Sequence, residues 1–202
     1  MHGGADVWRS EVFIRSERLF LRPGWPEDWQ ELTPLIADEK VVRNLAGVPW
    51  PYTGEDARRF LSLPQEHRLP RFLVTLPDAA GARIIGGIGL DRRGQEIQLG
   101  CWIARDHRGR GYAGEAARAV IEVARTLGHG RIVASHFLDN PASGRVLERV
   151  GFRRTGRIVE RPSTRRGTVF PAREYVLDLG APADHHDDMD RMRSRETEKY
   201  AA

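Results

Sequence analysis

Apolar and polar positions change their period several times along the chain, and each change predicts an element. Residues 18–23 form a short apolar-dense run closed by Pro23, which predicts a strand. Before it, residues 1–16 carry few apolar positions in any period, so the folded domain is expected to begin near residue 16. Residues 26–37 read as a helix, with Pro26, Glu27 and Asp28 in the first turn and Trp29, Leu32, Leu35 and Ile36 on one face. A second short helix follows Thr53, which with Asp56 makes a capping-box start, and it carries Phe60 and Leu61. Between the two lies a proline-stiffened aromatic loop, Val48-Pro49-Trp50-Pro51-Tyr52, which either plugs an edge of the core or lines a pocket through Trp50 and Tyr52.

Three strands are predicted next, at 72–76, 82–90 and 96–103. Their short, turn-rich connections at 77–81 and 91–94 make them an antiparallel meander. From 113 to 127 apolar residues recur at Ala116, Val120, Val123, Ala124 and Leu127, a helical stripe that Gly128 closes. Residues 131–138 predict a strand. Asn140-Pro141 then supplies an N-cap and a first-turn proline for a helix ending at Val150-Gly151-Phe152. Two further strands are expected, at about 152–160 and 173–179. Past Gly180 few core-forming residues remain. The expected division is an N-terminal extension at 1–15, one domain at 16–180 and a solvated tail at 181–202.

Composition narrows the class. At 202 residues with 40% hydrophobic and 30% charged positions, the chain can bury the core of one globular domain. No run approaches the roughly 20 apolar residues that a bilayer crossing needs, and the first residues lack the basic flank and apolar stretch of a secretory signal. No membrane partner is expected. The single cysteine, Cys101, excludes an internal disulfide and fits a reducing cytoplasm. Alternating with Trp102, it is expected to point into the core as packing. The formal charge is +4, but the basic residues are dispersed and no aromatic-basic nucleic-acid signature is present. A bias toward small anionic ligands follows, with nucleic acid excluded as the main partner. His185 and His186 have no third ligand at a useful spacing, so no metal is expected.

Candidate chemistry concentrates in Arg108-Gly109-Arg110-Gly111-Tyr112-Ala113-Gly114, between a strand and the long helix. Glycines there let backbone N–H groups face one concavity, and a helix N-terminus adds a potential that favours phosphate. Gly109, Gly111 and Gly114 also match a dinucleotide fingerprint, with Asp139 lying 25 residues (139 minus 114) further on. That fingerprint belongs after an early strand of a repeated parallel unit, whereas an antiparallel meander precedes this one.

A second segment, Asn140-Pro141-Ala142-Ser143 through Gly151-Phe152, decides the comparison. Together the two segments resemble the GNAT family of acyl-CoA N-acyltransferases. The cofactor loop of that family reads [QR]-x-x-G-x-[GA], and its next helix begins N-x-x-S and ends G-F. Arg108, Gly111 and Ala113 stand at the loop positions; Asn140, Ser143, Gly151 and Phe152 stand at the helix positions. The resemblance runs from about Ser16 to Leu179 and is nearest to the RimJ/RimL type, which acetylates protein N-terminal amines, while many relatives acylate small molecules.

The resemblance implies an α/β (α+β three-layer) fold with a central mixed, mostly antiparallel sheet, splayed at the cofactor, and about four helices. It implies acetyl-CoA or another short acyl-CoA as donor, and as acceptor a primary amine of a protein N-terminus or a small molecule. Homodimer formation stays open. Pantetheine would pair with Trp102, Ile103 and Ala104 on one side and with 131–138 on the other, and residues Arg108 to Gly114 would cradle the pyrophosphate. By the same resemblance Asn140 would bond the pantetheine arm and Ser143 would protonate the leaving thiolate. The alternative for both is helix capping and first-turn structure. Where relatives often carry a glutamate, this chain has Gln98, which cannot accept a proton at neutral pH and is expected to contact the acceptor. Glu96, on the same strand face, either acts as the base through a water or is a solvated strand-end residue. A rival function from another class is a catalytically silent CoA-binding regulatory or partner-binding domain.

Overall fold

A computed structural model describes residues 12–79 and 81–180. The expected tail at 181–202, with His185 and His186, and most of the expected extension lie outside the described residues. One mixed sheet of eight strands runs in the order β1-β2-β3-β4-β5-β6-β8-β7. Its strands are β1 (Ile14–Arg15), β2 (Phe20–Arg22), β3 (Arg71–Asp78), β4 (Gly81–Arg93), β5 (Glu96–Ile103), β6 (Arg131–Phe137), β7 (Arg153–Ser163) and β8 (Thr168–Asp178). The five α-helices among the described residues are α1 (Trp29–Ile36), α2 (Glu39–Val42), α3 (Gly54–Ser62), α4 (Tyr112–Thr126) and α5 (Pro141–Arg149). Every neighbouring pair is antiparallel except β5 and β6.

The first strand, β1, starts at Ile14 and pairs with β2 as a short edge. The expected count of about four helices fits the five α-helices among the described residues, one of which is a single turn. That turn, α2, is started by Asp38, which accepts from the Lys40 N–H at 2.7 Å, and it is too short to show a period. Several expectations need correction. Residues 26–28 form a 3-10 turn ahead of α1 instead of its first turn. The β3–β4 and β4–β5 turns are tighter than predicted, since Pro77, Asp78 and Asp91 to Arg93 continue in the ladders. The largest miss is at the end: β7 and β8 form one long hairpin reaching from 153 to 178, and positions 161–163 and 168–172 pair in it although no apolar alternation announced them.

Packing explains the element choices. The broad stripe of α4 places Ala116, Ala117, Val120, Ile121 and Ala124 against Val74, Ile85, Ile88, Leu99, Ile103, Ile132 and Tyr175. A smaller core on the opposite face joins Leu32, Ile36, Tyr52, Ala57, Leu73 and Ile84, with Trp102 packed against it. Helices α1 and α3 therefore cover one face and α4 and α5 the other, giving three layers. Glycine is required in β4: a Cβ at Gly86 would lie 2.3 Å from the Trp102 carbonyl oxygen, and one at Gly87 2.7 Å from the Trp102 indole Nε1. Helix α3 carries the capping box read from the sequence, Thr53 and Asp56 bonding each other's backbone N–H groups.

A buried ion pair ties β2 to the turn before α1. Arg22 and Asp28, with side chains 6% and 7% exposed, meet through two 2.7 Å bonds, and the Trp25 N–H also donates to Asp28 at 2.6 Å. Removing one partner strands a buried charge, a loss of about 3–5 kcal/mol. Asp28→Ala should lower unfolding free energy by that amount in urea titration, and a loss near zero would show that the pair is not buried in solution.

Candidate functional site

The site is built on an interruption of the sheet. β5 and β6 share a single register pair, Gln98 with Val133, and diverge beyond it. The Ala104 N–H is spent on the Ile85 carbonyl at 2.8 Å. Successive residues of an antiparallel strand address opposite neighbours, so the N–H groups of Gly100 and Trp102 also point toward β4. Those of Cys101 and Ile103 point into the gap between β5 and β6. Of the strand-backbone positions expected from the sequence, Ile103 thus faces the gap, whereas Trp102 and Ala104 do not. Cys101 also departs from expectation. It is exposed as a residue, yet desolvation pushes its thiol up to about 12, so it carries no thiolate at neutral pH.

Residues 105–114 form the mouth of this gap. A 3-10 turn, Arg105–His107, leads into Gly109 at φ +75° and Gly111 at φ +85°, the latter serving as the N-cap of α4. A side chain is strained at both positions, and alternating backbone handedness turns successive N–H groups inward. Gly111 has no side chain to cap α4, and the first intrahelical bond is Glu115 N–H to the Gly111 carbonyl at 3.1 Å. The N–H groups of Tyr112, Ala113 and Gly114 are left to an anion. Gly109, Arg110 and Gly111 are exposed. Arg108 is exposed as well, but its donors are engaged: its Nε donates to the Ile103 carbonyl at 2.9 Å and both Nη groups to the Lys40 carbonyl at 3.1 Å. Its side chain is therefore a clamp between β5 and α2, and desolvation lowers its pKa.

At the far end of β6, Asn140 occupies the N-cap position of α5 but makes no capping bond. Its Nδ2 instead donates to Ser143 Oγ at 3.0 Å. A hydroxyl that accepts this bond keeps its own proton free to donate. The preceding residue, Asp139, is fixed by Arg166 through bonds of 2.8 and 2.9 Å and by Arg43 at 3.0 Å. The Arg166 bonds chiefly hold its carboxyl below the usual range. Asp139 thus has a structural partner, and the dinucleotide fingerprint loses its acidic residue as well as its parallel unit. Arg165 adds an ion pair to Glu39 and lies over Trp50 at 5.1 Å, so the β7–β8 turn, α2 and the aromatic loop close together beside Asn140.

The remaining sequence candidates separate. Gln98 is at the branch point, and its Oε1 is buried without a hydrogen-bond partner, an acceptor waiting for a donor. Trp50 is half-buried. Tyr52 is 8% exposed in the smaller core, and burial pushes its hydroxyl up to about 12, so of the two uses read for the loop it serves as plug. Glu96 is level with Arg131, on the side of the branch point away from α5, and Arg131 lies six residues before Phe137, about 20 Å at strand rise. The structure therefore does not bring Glu96 and Ser143 together. A cavity of about 370 Å³ lined by Glu31, Asp38, Arg83 and His107 lies past the C-terminal end of β5 and is separate from the branch point. Among the described residues there is no group of three metal-binding side chains, and no helix is long and apolar enough to cross a membrane.

Sequence reading missed the anchor of the loop. Glu115, 6% exposed in the first turns of α4, accepts from Ser16 Oγ and the Arg18 N–H at 2.7 Å each and from Arg18 Nε at 2.8 Å. Arg18 in turn donates to the Arg110 carbonyl at 3.1 Å and lies 4.7 Å from the Tyr112 ring. The only signal in the sequence was an acid at the start of an otherwise apolar helix face.

Comparison with known proteins places this geometry. The model of the acetyltransferase (GNAT) domain matches residues 18–153. An uncharacterized N-acetyltransferase of Bacillus subtilis, YnaD, is 30% identical over 149 residues, which is 72% of this chain and 85% of that protein. A GNAT-family acetyltransferase structure from Bacillus anthracis superposes with a TM-score of 0.68 at 24% identity, covering 83% of this chain and 99% of the other. RimL, a ribosomal L7/L12 alpha-N-protein acetyltransferase solved with coenzyme A, gives 0.68 at 19% identity, covering 83% and 98%. At these identities the two structures establish the fold.

The Glu115 clamp is testable by pH. Hydrogen bonds and burial act oppositely on its carboxyl, and the bonds win, so its folded pKa is lowered. A lowered value stabilises the fold above the unfolded pKa, about 4.3, and that stability is lost as pH falls through the folded value. Glu115→Gln should cost at least about 2 kcal/mol at pH 7, and the difference from wild type should shrink below pH 4. A gap of constant size in denaturant titrations across that range would rule out the charged clamp.

Proposed function

This chain belongs to the GNAT acetyltransferase family, and we propose that it transfers an acetyl group from acetyl-CoA to a primary amine held at Gln98, by direct attack on the thioester. The observation that carries this reading is the single-pair contact of β5 with β6, which leaves the Cys101 and Ile103 amides facing a gap whose mouth is a glycine anion cradle. The cradle fits a pyrophosphate because Gly109 has nothing within 4 Å of a Cβ position and the first-turn N–H groups of α4 are free. Bound there, acetyl-CoA supplies an activated acyl carbonyl and a thiolate leaving group.

The chain's own residues then have separable tasks. Backbone N–H groups in the gap stabilise the carbonyl oxygen as negative charge develops. Asn140 holds the Ser143 hydroxyl by its 3.0 Å bond, and Ser143 gives its proton to the departing sulfur. Gln98 Oε1 accepts from an N–H of the incoming amine and so orients the lone pair. The C–N bond forms and the C–S bond breaks, the proton lost by the amine passes through water to restore the Ser143 hydroxyl, and the products are an amide and a free thiol. With no carboxylate at Gln98, the amine must arrive neutral. The folded domain spans 16–180 in this reading, preceded by the β1 edge.

Two outcomes test it. Acetyl-CoA at 100 times its dissociation constant should stabilise the protein by about 2.7 kcal/mol. Gly111→Glu should remove that shift by placing a side chain and a negative charge in the cradle. Ser143→Ala should lower kcat at least about tenfold in a free-thiol assay with an accepted amine, while leaving the acetyl-CoA thermal shift in place. Binding without thiol release from any amine would favour the silent regulatory domain instead.

A further inference from the structure

On the same face of the sheet as Gln98, an arginine stands with most of its donors unused. Arg161 lies on β7, paired with Phe170 of β8. The paired residues of β6 and β8 put Ser135 and Glu174 on that face too. Arg161 is half-buried, and its Nε donates to Ser135 Oγ at 3.2 Å. Among the described residues this is its one side-chain hydrogen bond, and it forms no ion pair. The N–H groups of both Nη atoms therefore remain, in the planar fork that fits an oxyanion.

Neighbouring charge does not neutralise it. Glu174, 3% exposed and across from Ser135, is already engaged by Thr155 Oγ1 at 3.2 Å and Arg157 at 3.4 Å. Arg93 and Arg157 repel the Arg161 charge, while Glu174 and Glu96 act on it only through space. Desolvation, the largest influence, lowers its pKa. A half-buried cation that no carboxylate bonds directly gains from a ligand that brings an oxyanion to it.

Its position says which ligand. Val133 is level with Gln98, and Ser135 lies two residues further toward the open end, about 7 Å along the strand. Arg161 therefore faces the open part of the gap from the Gln98 side of the sheet, opposite the face covered by α4 and α5. Resting on the transferase reading, we propose that Arg161 is the anion-recognition residue of the acceptor site, and that the acceptor is a small amine bearing a carboxylate or phosphate. Gln98 takes the amino end and the Arg161 fork takes the oxyanion end.

Paired acceptors differing only in that charge test the idea with the full chain and acetyl-CoA. The pairs are β-alanine and its amide, phosphoethanolamine and ethanolamine, and a short peptide with an acidic second residue and its amide counterpart. At least one anionic small molecule should show a kcat/KM about tenfold or more above its neutral partner, and the pair that does so distinguishes carboxylate from phosphate. Arg161→Gln should bring that ratio to about one by raising KM for the anionic member, and Arg161→Lys should restore part of it. Thermal stabilisation by acetyl-CoA verifies that each variant is folded. If Arg161→Gln fails to fold, the wild-type ratio and Arg161→Lys decide. Equal use of both members of every pair, preference confined to the peptides, an equal loss for both members in Arg161→Gln, or no turnover by protein that still binds acetyl-CoA would each overturn the proposal. Absence of acetyl-CoA binding would instead overturn the transferase reading on which it rests.

Discussion

A parallel pair of strands that touches at one residue is the constraint around which this fold is arranged. Gln98 and Val133 pair, and beyond them the backbone groups of β5 have no strand to meet. Unpaired backbone donors inside a protein are costly, so the Cys101 and Ile103 groups must be met by something other than a strand. The ladders on either side are long and regular, β4 with β5 and β6 with β8, and they hold the two halves of the sheet rigidly enough that the gap does not close. The separation of β5 from β6 is thus a property of the whole sheet.

Three polar clamps set the loops around the gap, and each joins residues far apart in sequence. Glu115 fastens the glycine loop to Ser16 and Arg18. Arg108 fastens the end of β5 to α2 through the Ile103 and Lys40 carbonyls. Arg166 fastens Asp139, and through it Asn140, to the β7–β8 turn. The arginines of the last two give up the anion-binding role that their residue type suggests, because their donors are spent on the protein. Arg161 is the contrasting case, since geometry leaves its fork free.

Much of the site was legible because it rests on local backbone chemistry. Gly109 and Gly111 were read as a phosphate cradle from their spacing, and both adopt the left-handed conformation that such a cradle needs. The pairing of Asn140 with Ser143 was legible as a motif, although an N-cap was the competing use. In the structure the Asn140 amide reaches Ser143 Oγ and makes no capping bond. Tyr52 was legible only as an alternative between core and pocket, which burial resolved in favour of core.

The sequence by itself determined the elements with strong periodicity, namely the meander, the apolar stripe of α4 and the capped start of α3, because those signals act over a few neighbouring residues. It also determined the glycine loop and the family resemblance, which depend on residue type at fixed spacing. Only the tertiary structure decided the length of the β7–β8 hairpin, whose strands are stabilised by pairing with each other and with β6 more than by their own alternation. Only it decided which arginines are free, that Cys101 is open where packing was expected, and that Glu96 sits on the side of the branch point away from α5. Each of those depends on which strands fail to meet, and a missing contact between residues 35 positions apart (133 minus 98) leaves no local trace in the chain.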